Sequence, residues 1–223
     1  MKSFESNKTV WSDIYKAGQN NLSYPNENLV RYLYYLYPDK NFTELKVLDY
    51  GFGSGNNLRH LDFLNCNVYG TEISEHAKEI TLAKLRSDFD QEKLYIMKDE
   101  AIIPFKNESF DLVISWQVLY YNTIESLEKV LKTIHKLIKP GGKFIGTMAR
   151  MQDIAFENST QRNEYEWTIV KGNQTGSEII GIPTEEDIKK LFGVFDDLEI
   201  GYFETKLTNI IGSHWVISGK KNG

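Results

Sequence analysis

Val47-Leu48-Asp49-Tyr50-Gly51-Phe52-Gly53-Ser54-Gly55 is the stretch that decides the fold of this chain: an apolar strand running into three glycines at alternate positions, with a carboxylate two residues before the first. Glycine lets the backbone turn sharply, take positive φ and approach a ligand with no Cβ in the way, so the spacing predicts a loop shaped around a bound nucleotide-type cofactor. Outward from this loop, short runs rich in Val, Ile, Leu and aromatics alternate with helical patterns. Strands are expected at Leu45–Tyr50, Asn67–Ile73, Leu94–Lys98, Phe110–Trp116 and Lys143–Met148. That alternation predicts an α/β fold, a Rossmann-like, doubly wound, mostly parallel sheet with helices on both faces.

Between the fourth and fifth strands, Ile124, Leu127, Val130, Leu131, Ile134, Leu137 and Ile138 recur at helical spacing, and Pro140-Gly141-Gly142 is expected to stop that helix. Ser74 is expected to cap the helix after the second strand. Thr184-Glu185-Glu186-Asp187 reads as a capping box for a helix running to Phe192, with Gly193 beyond it. Glu199–Leu207 and His214–Ser218 read as strands joined by Thr208–Ser213, a connection too short for a helical crossover, so the sheet should close with an antiparallel hairpin.

The chain is read as a single domain in four parts: an N-terminal helical cap at 1–44, with a tyrosine-rich amphipathic segment Asn28–Tyr37; a cofactor-binding core at 45–149; an acceptor-side cap at 150–181, polar and without clean periodicity; and the last helix and hairpin at 182–223. At 223 residues and 41% hydrophobic content, one substantial core is expected. A lone cysteine, Cys66, and four scattered histidines support neither a disulfide scaffold nor a metal site. No apolar stretch is long enough for a signal core or a membrane span, which gives the expectation of a soluble, cytoplasmic protein with no membrane partner. A formal charge of −5 gives no general attraction for nucleic acid, so the expected partner is a small molecule and the expected state a monomer or homodimer.

Glu72 stands seventeen residues past Gly55, at the end of the second strand. In a doubly wound sheet that position faces the crevice beside the glycine loop, where a carboxylate accepts both hydroxyls of an adenosine ribose. A dinucleotide and S-adenosylmethionine both suit such a pair. The dinucleotide pattern wants a third glycine where this chain has Asn56, and Asp49 would set a negative charge near a pyrophosphate, whereas it favours an amino group and a sulfonium.

On these residues the chain resembles the class I S-adenosylmethionine-dependent methyltransferases. Asp49-Tyr50-Gly51-Phe52-Gly53-Ser54-Gly55 is similar to their first motif and Glu72 to their ribose acid. The segment from Asp99 through Glu100 to Val113 resembles the stretch in which the acid at Asp99 and the backbone of the next residue read adenine, and Leu137–Gly142 resembles the lead-in to their fifth strand. The resemblance implies strand order 3-2-1-4-5-7-6 with strand 7 antiparallel, S-adenosylmethionine as cofactor, and Ser115, Trp116 and Gln117 in the cleft where the methyl group is presented. Ile73 joins the cofactor set beside Glu72. In relatives the N-terminal helix closes over the cofactor, which makes Trp11, Tyr15 and Tyr24 candidate lid residues.

Methyl transfer from a sulfonium is an in-line displacement that needs alignment and the exclusion of water, not a side-chain nucleophile. For the acceptor side, His214 is nominated as a base, Arg150 as a ligand for an anionic acceptor, and Tyr120 and Tyr121 as wall residues. His60, His76 and His135 fall on expected helices and are not nominated. The reading is a methyltransferase acting at oxygen or nitrogen of a small polar metabolite, such as a sugar or a nucleotide-linked intermediate. A non-catalytic S-adenosylmethionine-binding regulator and an NAD-dependent oxidoreductase are the alternatives.

Overall fold

The computed structural model describes residues 2–39 and 41–223. Helices α1 (Lys2–Lys16) and α2 (Glu27–Leu36) precede β1 (Lys46–Tyr50), α3 (Asn56–Phe63), β2 (Asn67–Glu72), α4 (Glu75–Leu82), β3 (Leu94–Ile96), β4 (Phe110–Ser115), α5 (Ile124–Leu137) and β5 (Ile138–Ala149). There follow α6 (Ile154–Glu157), β6 (Ser159–Gln161), β7 (Glu166–Ile169), β8 (Glu178–Ile180), α7 (Glu185–Leu191), β9 (Asp196–Leu207) and β10 (Ile210–Lys220). The seven-stranded sheet has the order β3-β2-β1-β4-β5-β10-β9, with β10 antiparallel to both neighbours. With β9 and β10 as its sixth and seventh strands, this is the expected 3-2-1-4-5-7-6 arrangement.

Strand alternation splits the core into two layers. Leu48, Val113 and Phe144 pack against Leu127, Val130, Leu131 and Ile134 of α5 and Ile188 of α7. Val47, Leu112, Ile114 and Ile145, one residue out of phase with them, pack against Leu29 and Leu33 of α2 and Leu58 and Leu61 of α3. Burial on both faces explains why these strands read as continuous apolar runs. Among the described residues, no helix is long and apolar enough to cross a membrane.

Three expectations need correction. Helix α5 ends at Leu137, before Pro140: Ile138 is already extended (φ −74°, ψ 136°) and pairs with Phe110, so Pro140-Gly141-Gly142 begins β5 instead of capping the helix. The register shifts between Phe110 and Leu112, which accommodates the proline and glycines. The hairpin is longer than expected because Ile210 to Ser213 pair with Leu207 to Glu204, leaving only a two-residue turn with Thr208 at φ 58°. Residues 150–181 carry α6 and an antiparallel sheet β6-β7-β8. Their signal was short but present: Trp167 and Ile169 alternate with polar residues along β7 and are buried with Ile179 and Ile180 in the α5 layer.

The chain reverses direction across the sheet between β1, whose connections lead outward to β2 and β3, and β4, from which the order runs the other way. Such a switch point opens a crevice at the carboxyl ends of the strands, where the glycine loop lies.

Candidate active site

A cavity of about 520 Å³ occupies this crevice. At one end lie Gly51, Phe52, Gly53 and Ser54 of the loop after β1. Gly53 has φ +54°, and a Cβ there would stand 2.7 Å from the Tyr15 hydroxyl, so the α1 side chain seats directly over the loop. Gly55 does a different job. It starts α3 in the left-handed region (φ +77°), and a Cβ would collide with Thr81 of α4 at 2.5 Å, so it sets helix packing and does not line the cavity.

The Glu72 carboxylate bridges the loop to the end of β2: Oε2 accepts from Gly53 N (2.9 Å), and Oε1 from Ile73 N (2.7 Å) and Ser74 N (3.1 Å). Burial pushes its carboxyl up, and these backbone donors pull it back. Asp49 is buried on β1 beneath the loop, outside the cavity lining, and its Oδ2 has no hydrogen-bond partner. Loss of water, and then the Glu72 charge, push its carboxyl up to about 7. Ile73 and Met97 line the same end of the cavity.

The third stretch departs from expectation in one residue. Asp99 does not line the cavity; its Oδ1 accepts from Ala101 N (2.9 Å) and so closes the local turn. Glu100 lines the cavity, its backbone carbonyl accepts from the Tyr50 hydroxyl (2.8 Å), and its Oε1 accepts from the Ser126 hydroxyl.

Trp116, Gln117, Tyr120, Tyr121, Asn122 and Gln174 form the other end. Gln117 has φ 60°, an unusual state for a residue with a side chain, and its N–H donates to the Thr147 hydroxyl (2.7 Å). Tyr120 and Tyr121 have centroids 4.5 Å apart, the Tyr121 hydroxyl donates to Gln174 (3.0 Å), and Trp11 meets the Tyr121 ring edge-on at 5.0 Å. Burial holds both tyrosine hydroxyls above their usual range, hence protonated.

Helix α1 roofs this end and is tied down by the buried Asn7. Its amide nitrogen donates to the carbonyls of Tyr121 (2.9 Å) and Glu178 (3.2 Å), and its oxygen accepts from Glu178 N (2.9 Å). The following strap is held to the loop by Leu22 N donating to the Ser54 hydroxyl (3.0 Å), and by Lys84 Nζ donating to the carbonyls of Leu22 (2.6 Å) and Ser54 (2.7 Å). Tyr24 lines the mouth but is exposed.

Three nominated residues lie behind the wall. Ser115 is buried and donates to the Tyr50 carbonyl (3.3 Å), so it joins β4 to β1 and does not line the cavity. Arg150 does not reach the cavity; its guanidinium donates to the Ser213 hydroxyl (3.1 Å) and stacks over Tyr202 (4.0 Å). His214 is also outside, its Nε2 3.4 Å from the Tyr120 hydroxyl and its Nδ1 3.8 Å from Asp153 Oδ2. Burial lowers its pKa, partly opposed by Asp153, so the imidazole is held neutral. Asn7 and Gln174 were missed by sequence reasoning, whereas Gln117 was expected in the cleft and lines the cavity. Asn7 and Gln174 belong to no sequence pattern.

The family described as "Methyltransferase domain" matches residues 48–146, the segment that holds the glycine loop, Glu72 and the third stretch. The matched core is similar to this methyltransferase domain, in agreement with the resemblance to the class I S-adenosylmethionine-dependent methyltransferases. Two curated relatives match its core: the mitochondrial arginine-hydroxylase NDUFAF5 of Mus musculus, 35% identical over 46% of this chain and 28% of that protein, and phosphoethanolamine N-methyltransferase 2 of Caenorhabditis elegans, 32% identical over 49% and 26%. The matched segments thus span little more than a quarter of those relatives. Among solved structures, Haemonchus contortus phosphoethanolamine N-methyltransferase 2 with phosphomonomethylethanolamine and S-adenosylhomocysteine superposes at a TM-score of 0.66, with 17% identity, over 99% of this chain and 57% of that one. Burkholderia thailandensis 1,6-didemethyltoxoflavin-N1-methyltransferase does so at 0.69, with 12% identity, over 98% and 88%. Both share the fold.

The cofactor that this similarity implies is S-adenosylmethionine, and the residues present fit it. The glycine cradle has no room for a Cβ at Gly53, Glu72 lines the cavity beside the loop, and the Asp49 carboxyl, whose Oδ2 has no partner, lies under the loop, where a cation would stabilise its ionised form.

Proposed function

We propose that this protein transfers a methyl group from S-adenosylmethionine to nitrogen or oxygen of a small polar acceptor bound under α1 and the β6-β7-β8 cap. One observation carries the reading: the loop with Glu72 and the wall of Trp116, Gln117, Tyr120 and Tyr121 line a single cavity, so cofactor and acceptor would share one water-poor space. The bound cofactor would supply an electrophilic methyl group. What the chain supplies is position: the Gly53 and Glu72 end orients one partner, the aromatic and amide end the other, and α1 closes the space.

Release of a proton from the acceptor is served by Tyr120, whose hydroxyl lies between the cavity and His214. The neutral imidazole can take a proton at Nε2, with Asp153 nearby to offset the charge. Neither curated relative fixes the substrate, since their named activities differ. The test is a panel of sugars, amines, amino acids and nucleotides, assayed by formation of S-adenosylhomocysteine. Turnover with a small molecule is the expected result; turnover confined to protein or RNA would refute the acceptor class, and none with any acceptor would favour a non-catalytic binder.

A further inference from the structure

We infer that the acceptor is an amine-type compound, neutral at the attacking nitrogen and without phosphate or carboxylate, and that the methylated ammonium product is held by an aromatic cage; this rests on the methyltransferase reading above. Trp11, Tyr15, Tyr120, Tyr121 and Trp116 line the cavity together. Trp11 is tilted against Tyr15 at 5.8 Å and meets Tyr121 edge-on at 5.0 Å, so these rings are not stacked face to face on one another. The hydroxyls of Tyr15 and Tyr121 are kept protonated by burial, which leaves the rings neutral and electron-rich. Such a set of rings is the established physical answer to an alkylated ammonium ion.

The formal charges around the cavity agree. Its ionisable lining residues other than tyrosine are Glu27, Glu72 and Glu100, and no Lys, Arg or His stands among the described lining residues. Glu27 is exposed and ion-paired with Arg31, so what disfavours an anionic acceptor is its desolvation in a cavity whose described lining residues offer no cation to offset it.

The bookkeeping of the reaction points the same way. The nitrogen lone pair forms the new N–C bond while the C–S electron pair returns to sulfur, so one positive charge passes from the sulfonium to the nitrogen. A site that favours a cation before the step favours one after it, and the product loses its proton only if the nitrogen still carries one. With a carboxylate or phosphate acceptor the charges would cancel, and the lining would supply no cation to hold the anion at any stage.

The test uses the full chain saturated with S-adenosylhomocysteine and titrated calorimetrically with choline, its neutral isostere 3,3-dimethylbutan-1-ol, phosphoethanolamine and inorganic phosphate. Choline should bind about tenfold more tightly than the isostere, the size of a desolvated cation–π contact, and both phosphates more weakly than choline. Trp11→Leu and Tyr121→Leu should bring the choline-to-isostere ratio towards one while S-adenosylhomocysteine still binds, and Tyr121→Phe, which keeps the ring, should preserve it. Tighter binding of either phosphate, equal binding of the isostere, or no binding of choline overturns the inference. Failure of wild-type protein to bind S-adenosylhomocysteine at all would overturn the methyltransferase reading with it.

Discussion

Replacing Asp49 by Asn should make the ligand-free protein more stable at alkaline pH and a poorer binder of S-adenosylmethionine. Burial, and secondarily Glu72, raise this carboxyl from 3.8 to about 7. Between those values the native state holds a proton that the unfolded chain has lost. Stability from this group is therefore complete below about pH 4 and drains away as the pH rises through about 7. At about 1.4 kcal/mol per pH unit, the full loss is about 4 kcal/mol, of which about 3 kcal/mol falls between pH 5 and pH 8. Asparagine keeps the shape and cannot ionise. Urea unfolding at the two pH values should then show the wild type losing about 2–3 kcal/mol more than the variant. The cationic cofactor favours the ionised carboxylate, so wild-type affinity should climb as the pH approaches 7 while the variant binds more weakly and with a flatter profile. Parallel stability slopes for the two proteins would refute the assignment of Asp49 as a buried, uncompensated acid.

Gly53→Ala should weaken S-adenosylhomocysteine binding and cost about 1–3 kcal/mol, because its Cβ meets the Tyr15 hydroxyl at 2.7 Å. Tyr15→Phe in that background should recover part of the loss, so additive single effects in a double-mutant cycle would contradict the contact. Asn7→Ala removes three hydrogen bonds that fasten α1 to Tyr121 and Glu178; limited proteolysis should cut near α1 faster, and unchanged cleavage would show that the roof is held otherwise. Ser115→Ala should leave S-adenosylhomocysteine affinity within about twofold by calorimetry, since the hydroxyl faces the Tyr50 carbonyl and not the cavity.

The sheet order was legible because its signals are local and repeated: apolar runs buried on both faces, the stop at Gly51-Phe52-Gly53, and a connection too short to cross over. Ser74 and Thr184 announced their helices by cap chemistry alone, and both accept from the expected backbone donors, Ala77 N and Asp187 N. The pairing of the glycine loop with Glu72 followed from spacing, Glu72 being placed by strand length relative to Gly53. The cavity wall around Trp116 was only half legible. Trp116, Tyr120 and Tyr121 lie in sequence next to a strand end, whereas Asn7 and Gln174 reach the cavity from segments far away along the chain. Arg150 and His214 were placed at the correct end of the sheet, but side-chain direction decides which face of a strand a residue serves, and their neighbours turn them away. Pro140-Gly141-Gly142 misled because the same residues that stop a helix also begin a bulged strand.

The claim on which the rest depends is that the crevice between β1 and β4 holds an adenosyl sulfonium compound. Calorimetric titration of the full chain with S-adenosylhomocysteine, and separately with NAD, tests it most directly. The account predicts saturable one-site binding of S-adenosylhomocysteine and none of NAD; no heat with the former, or preference for the latter, would contradict it.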